Sequence, residues 1–127
     1  MISTHRDIIM FLKMKKWKDF QYELFGTTWY VKFIDDYGKD SKGEPNHDFG
    51  CCSNVTNTIK VYLKYNHDGD VGYFSDEIVR ITLLHEIVHS IFGTGEYINC
   101  NDDEPLVEFT ARSLISLLKQ KIFDYAK

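Results

Sequence analysis

Hydrophobic and polar positions alternate with period two over two short runs, Phe20, Tyr22 and Leu24, then Trp29, Val31 and Phe33. Gly26-Thr27-Thr28 separates them, so the pattern predicts a β-hairpin. A third run sets Ile59, Val61 and Leu63 against Lys60, Tyr62 and Lys64, which predicts a strand with one buried and one wet face. If that strand forms a sheet edge, its free backbone groups can pair with an extended peptide. Residues 35–56 are rich in Asp, Gly, Ser, Asn and Lys and read as a long loop. Asn66-His67-Asp68-Gly69-Asp70 reads as a turn, because it lacks the ligand positions and closing glutamate of a calcium loop.

The period then changes. Over residues 78–92 the apolar positions fall almost all round a helical cylinder, with Ile78, Ile81, Leu84, Val88 and Ile91 on one side and Val79, Leu83 and Ile87 on another. A helix apolar all round is a buried, central one. Ser75 suits its N-cap, Asp76 and Glu77 suit its first turn, and Gly93 is expected to take the left-handed position just past its end. A polar stretch follows, and then Val107, Ala111, Leu114, Ile115, Leu118 and Ile122 mark a second amphipathic helix over about residues 103–121. Asp102 or Asp103 can cap it, and Pro105 belongs in its first turn. At the start of the chain Ile8, Ile9, Leu12 and Trp17 stand among Lys13, Lys15, Lys16 and Lys18. They predict an amphipathic N-terminal helix packed on the sheet.

The expected fold class is therefore α+β. An N-terminal helix, a small three-stranded, mostly antiparallel sheet, a buried motif helix and a C-terminal helix form one domain over residues 1–127. Composition leaves that picture unchanged, since 43% hydrophobic and 27% charged residues are ordinary for a globular chain. A formal net charge of -4 gives no general attraction to nucleic acid or anionic membranes, so neither is an expected partner. No apolar run reaches the length of a membrane span, and residues 8–12 are too short for a signal-peptide core, which makes a cytoplasmic location the expectation. Three cysteines, with Cys51 and Cys52 adjacent and Cys100 far away, do not form a disulfide framework and are expected to be reduced thiols. They also lack the close Cys pair that a structural zinc site built with His47 would need.

The chemistry lies on the buried helix. His85-Glu86-Ile87-Val88-His89 places two imidazoles at i and i+4, one above the other, where both reach a single metal ion. Glu86 sits beside that face, where its carboxylate addresses a water rather than the metal. Buried polar groups of this kind need partners, and a Zn²⁺ ion supplies them at once. Zinc hydrolases use three protein ligands, so a third must come from elsewhere. Glu108 is the favoured candidate, because it stands among Val107, Phe109 and Ala111, where a carboxylate without a partner is unfavourable. Glu104 is its rival, and Glu96 is a weaker third choice. If Glu104 is not the ligand, it or Asp103 can accept a hydrogen bond from the Nδ1–H of a liganding histidine. The metzincin pattern is excluded, since Phe92 and Gly95 occupy the positions where it needs Gly and His.

These residues point to metal-assisted hydrolysis of a peptide bond, with Glu86 as general base and a peptide or protein as substrate. Tyr97 and His67 are candidates for stabilising the developing oxyanion by residue type alone. The alternative is a zinc-binding regulatory or interaction module that keeps the site without turnover. The run Leu83-Leu84-His85-Glu86-Ile87-Val88-His89-Ser90-Ile91, followed by Asp103-Glu104-Pro105-Leu106-Val107-Glu108-Phe109-Thr110-Ala111, resembles the small phage and prophage zincin-like metallopeptidases related to the ImmA/IrrE family. That resemblance spans roughly residues 19–121. It implies a hairpin and strand before the motif helix, and an acidic zinc ligand on the next helix. The chain departs from the family's Glu-x-x-Ala-Asn-like run, having Glu104-Pro105-Leu106-Val107-Glu108 there, which leaves Glu104 and Glu108 in competition.

Overall fold

The computed structural model describes residues 17–94 and 101–119. Strands β1 (Phe20–Leu24) and β2 (Thr27–Ile34) form the expected antiparallel hairpin, with Phe20 opposite Val31. Phe25 and Gly26, at φ 51° and 79°, make the two-residue turn between them. Left-handed residues at both turn positions match the twist of the flanking strands. The turn thus falls one residue earlier than Gly26-Thr27-Thr28, and Thr27 already belongs to β2.

The sheet has four strands, not three. β3 (Gly50–Ser53) emerges from the stretch expected to be all loop, and it pairs antiparallel with β4 (Thr58–Tyr62). Because β3 carries the chain back down the sheet, β4 can return between β3 and β2, and it lies parallel to β2. The strand order is β1-β2-β4-β3, which makes β4 an interior strand and β3 the edge. The peptide-pairing edge expected at residues 59–63 is therefore β3 instead. β5 (Lys64–His67) and β6 (Asp70–Tyr73) form a separate hairpin closed by Asp68 and Gly69, both with positive φ, as the turn expected at 66–70 requires.

Two helices complete the described fold. α1 (Asp76–Thr94) is capped by Ser75, whose Oγ accepts from the Ile78 N–H at 3.3 Å. α2 (Glu104–Lys119) is capped by Asp103, whose Oδ1 accepts from the Leu106 N–H at 3.2 Å. α1 packs on β3 and β4 along one side and on α2 along another, so it is the central layer. Its buried Val79, Leu83, Ile87 and Val88 meet Trp29, Val31, Ile59 and Val61 of the sheet and Val107, Ala111 and Ile115 of α2. Each such side chain contributes about 1.5–3 kcal/mol when removed from water. A buried polar contact fixes the helix further, as Tyr22 donates to Ser90 Oγ at 2.7 Å and Ser90 donates to the Ile87 carbonyl at 2.6 Å.

Gly93 does not end the helix in a left-handed conformation as expected. It lies within α1, and a Cβ there would sit 2.5 Å from the Asn54 side-chain amide, so its role is close approach to the β3–β4 turn. The N-terminal helix expected over the first eighteen residues lies mostly outside the described residues; of its apolar positions Trp17 is described, packed on Phe33 with ring centroids 5.3 Å apart. Among the described residues no helix is long and apolar enough to cross a membrane.

Candidate metal centre

The one-turn spacing of His85 and His89 puts both rings on the same side of α1, 4.9 Å apart between centroids and each only partly exposed. Each ring is held by its Nδ1. His85 Nδ1 lies 3.0 Å from Glu108 Oε1, and His89 Nδ1 lies 2.7 Å from Asn101 Oδ1. A carboxylate and an amide oxygen only accept, so Nδ1 of each ring carries a proton, and a neutral ring presents its Nε2 lone pair. Both Nε2 atoms face one carboxylate, at 3.1 Å from Glu104 Oε2 for His85 and 3.0 Å from Glu104 Oε1 for His89.

That last contact decides how the site is read. Two lone pairs set against carboxylate oxygens at such distances repel unless positive charge lies between them. Two protons or one divalent cation satisfy the geometry. The ligand atoms of His85, His89 and Glu104 all lie within 4.8 Å of one another, so the group can hold a metal ion. A tetrahedral zinc site has ligand-to-ligand edges of about 3.3 Å, close to the observed nitrogen-to-oxygen separations.

Of the two candidate acids it is thus Glu104, not the favoured Glu108, that groups with both Nε2 atoms. Glu108, with its apolar flanks, bonds the far side of the His85 ring instead. The reason is helical geometry: residues adjacent in sequence point about 100° apart. Val107 and Ala111 are fully buried and Phe109 is 71% exposed, so none of them describes the surroundings of Glu108. Glu104, Glu108 and Arg112 form one row along α2, at i, i+4 and i+8. Arg112 holds Glu108 through Nε and a terminal nitrogen, both at 3.2 Å. Partial burial works against charge on Glu108, but His85 and Arg112 outweigh it and hold its carboxyl below the ordinary range.

Glu86 points to the same cleft and is 7% exposed. Its carboxylate has no hydrogen bond or ion pair among the described residues. Burial pushes its pKa up to about 7; His89 pulls the other way, and the Glu104 and Asp48 carboxylates add to the rise. β3 presses closely on this point. A Cβ at Gly50 would lie 2.8 Å from the Lys60 carbonyl, 3.0 Å from Thr82 and 3.3 Å from Glu86 Cγ, so only glycine lets the edge strand seat against the motif helix. Cys52, two residues on, also lines the cleft, and burial, aided by Glu86 and Cys51, pushes its thiol up to about 12. It stays a protonated thiol, not a ready metal ligand. Cys51 and Cys52 are both free, as expected.

The cleft over these residues measures about 910 Å³. Asp48 and Asn101, which also line it, gave no signal in the sequence, since a lone loop residue carries no periodicity, and His47 stood out only as a member of the rejected structural zinc set. The second-sphere role of Asn101 was legible only as a need, the acceptor that a liganding His89 requires. His67 does not line this cleft; it packs on His47, with ring centroids 5.5 Å apart, in a neighbouring pocket. Glu96, Tyr97 and Cys100 lie outside the described residues. Comparison of the chain with protein-family models, curated proteins and solved structures returns no match.

Two outcomes follow from this geometry. Glu104→Gln should cost more than ~100-fold in zinc affinity, whereas Glu108→Gln, which only loosens the His85 ring, should cost ~10–100-fold; competition with a chromophoric chelator measures both. The reverse order would restore Glu108 as the ligand. For metal-free protein, the raised pKa of Glu86 means that folding favours its protonated form. Stability from this group is complete below the unfolded-state pKa near 4.5 and is lost as pH rises through about 7. Urea unfolding in chelator should therefore show Glu86→Gln gaining about 1–3 kcal/mol over the parent between pH 5 and pH 8.

Proposed function

We propose that the protein is a zinc-dependent peptidase of the zincin type, with His85, His89 and Glu104 as ligands and Glu86 as general base. The observation that carries this reading is the aim of two imidazoles, each donating through Nδ1, at one carboxylate, beside the buried Glu86, which has no partner among the described residues. Two imidazole nitrogens and one carboxylate are a donor set suited to zinc with an open fourth position, the catalytic form of such sites. Zinc bound there supplies Lewis-acid chemistry, lowering the pKa of a water and polarising a carbonyl.

The chain's own residues do the rest. Glu86, raised toward neutrality by burial, takes a proton from the attacking water and delivers it to the leaving amine as the carbon–nitrogen bond breaks. Glu108 and Asn101 keep both imidazoles in the tautomer that leaves Nε2 free. Arg112 keeps Glu108 charged and in place.

A peptide is the substrate class that the cleft walls favour. Phe49 accepts from the Tyr62 N–H through its carbonyl, so along β3 the alternate residues Gly50 and Cys52 turn their N–H and C=O groups to the free edge. Both residues line the cleft. An extended chain can thus add as a further strand with its backbone beside Glu86. The resemblance to the phage and prophage zincin-like proteins agrees with this reading.

The test is cleavage of a degenerate peptide library by zinc-loaded protein, read by mass spectrometry, against zinc-loaded Glu86→Gln. The expected result is cleavage that falls at least ~100-fold in the variant while one zinc per chain is retained. Zinc retained with no cleavage by either protein would instead indicate a binding module, and equal cleavage by both would remove Glu86 as the base.

A further inference from the structure

A second pocket, about 400 Å³, opens from the metal cleft and shares His47, Asp48, Phe49 and Ile78 with it. The β5–β6 hairpin walls its other side with Tyr65 and Phe74. Phe49 and Phe74 stack with centroids 4.6 Å apart, and Tyr65 packs on Phe74 at 5.5 Å. The wall is held in shape by glycine: Tyr65 lies across from Gly72, where a Cβ would come within 2.6 Å of its hydroxyl. Phe49 nevertheless remains 47% exposed at the mouth. Phe74 packs against the core on its other side, but the exposed face of Phe49 beside the polar metal cleft serves neither the core nor the candidate metal ligands.

We infer that this pocket receives a large apolar or aromatic side chain of the peptide substrate, two or three residues to the C-terminal side of the bond that is cut. This rests on the peptidase reading above. The direction follows from β3. Antiparallel pairing is the more stable arrangement per residue, and a chain so paired with β3 runs from the Ser53 end toward Phe49, so the part that reaches the pocket is downstream of the part beside Gly50 and Glu86. The distance follows from α1. Ile78 precedes His85 by seven residues, or about 10 Å at 1.5 Å per residue. That equals about three residues of extended chain at 3.3–3.4 Å each.

The lining also sets what is rejected. Asp48 and Asp70 border the pocket with His47 and His67, and among the described residues neither lysine nor arginine does. An acidic side chain entering there would lose water and meet like charge, so it is disfavoured as strongly as an apolar one is welcomed.

Peptide hydroxamates test the pocket without requiring turnover. The chelating group binds the zinc of the loaded protein, and the residues after it run along the downstream side. One series is all alanine; the others carry a single Phe or Asp at the first, second, third or fourth position. Calorimetric titration should show Phe at the second or third position tightening binding at least ~10-fold over all-alanine, and Asp there weakening it. Phe74→Ala and Tyr65→Ala, each of which removes an aromatic wall that the metal cleft does not share, should each abolish that gain while leaving the all-alanine affinity unchanged. If all hydroxamates bind alike, or the gain survives in both variants, the pocket inference fails and the zinc reading stands. If none binds zinc-loaded protein, both fail.

Discussion

Two imidazole lone pairs aimed at one carboxylate are the constraint on which this protein turns. His85 and His89 are not free to rotate away from it, because Glu108 and Asn101 occupy the opposite nitrogens. Glu104, on the first turn of α2, cannot leave without exposing both. The arrangement needs positive charge between these groups, two protons or one divalent cation, and its three candidate ligands come from two helices. An ion held there would link metal binding to the packing of α1 on α2 and would stabilise the fold by the affinity it gains over the unfolded chain.

The fold is arranged to hold that point still. α1 is buried on nearly all sides, and the Tyr22–Ser90 bond fixes it to the sheet within one residue of His89. Gly50 brings the edge strand within van der Waals reach of Glu86, which leaves the glutamate buried and its pKa close to neutral. Burial therefore does for Glu86 what a neighbouring charge does in other sites. The same close approach puts unpaired backbone groups of β3 in the cleft, where an extended chain can use them.

How much of this was legible in the residues divides along physical lines. The β1–β2 hairpin, β4 and both helices carry strong periodicity and were readable, as were the Ser75 and Asp103 caps. β3 was not, because Gly50-Cys51-Cys52-Ser53 has no alternation of large apolar residues and becomes a strand only through pairing with β4. That omission also hid the parallel β2–β4 pair and moved the free edge from β4 to β3. The two histidines and Glu86 were readable because i to i+4 spacing is local geometry. The choice between Glu104 and Glu108 was not, since both lie on the same face one turn apart. Apolar neighbours in sequence misled there, because on a helix they are not neighbours in space.

The zinc site proposed for this protein would have three protein ligands and no sulfur. X-ray absorption at the zinc edge of the purified, zinc-loaded protein tests it most directly. The account predicts one tightly held zinc per chain, two imidazoles with nitrogen at about 2.0–2.1 Å, and the remaining shell made of oxygen at about 2.0–2.2 Å. A sulfur shell at about 2.3 Å, a single imidazole, or protein that retains no zinc at neutral pH would contradict it.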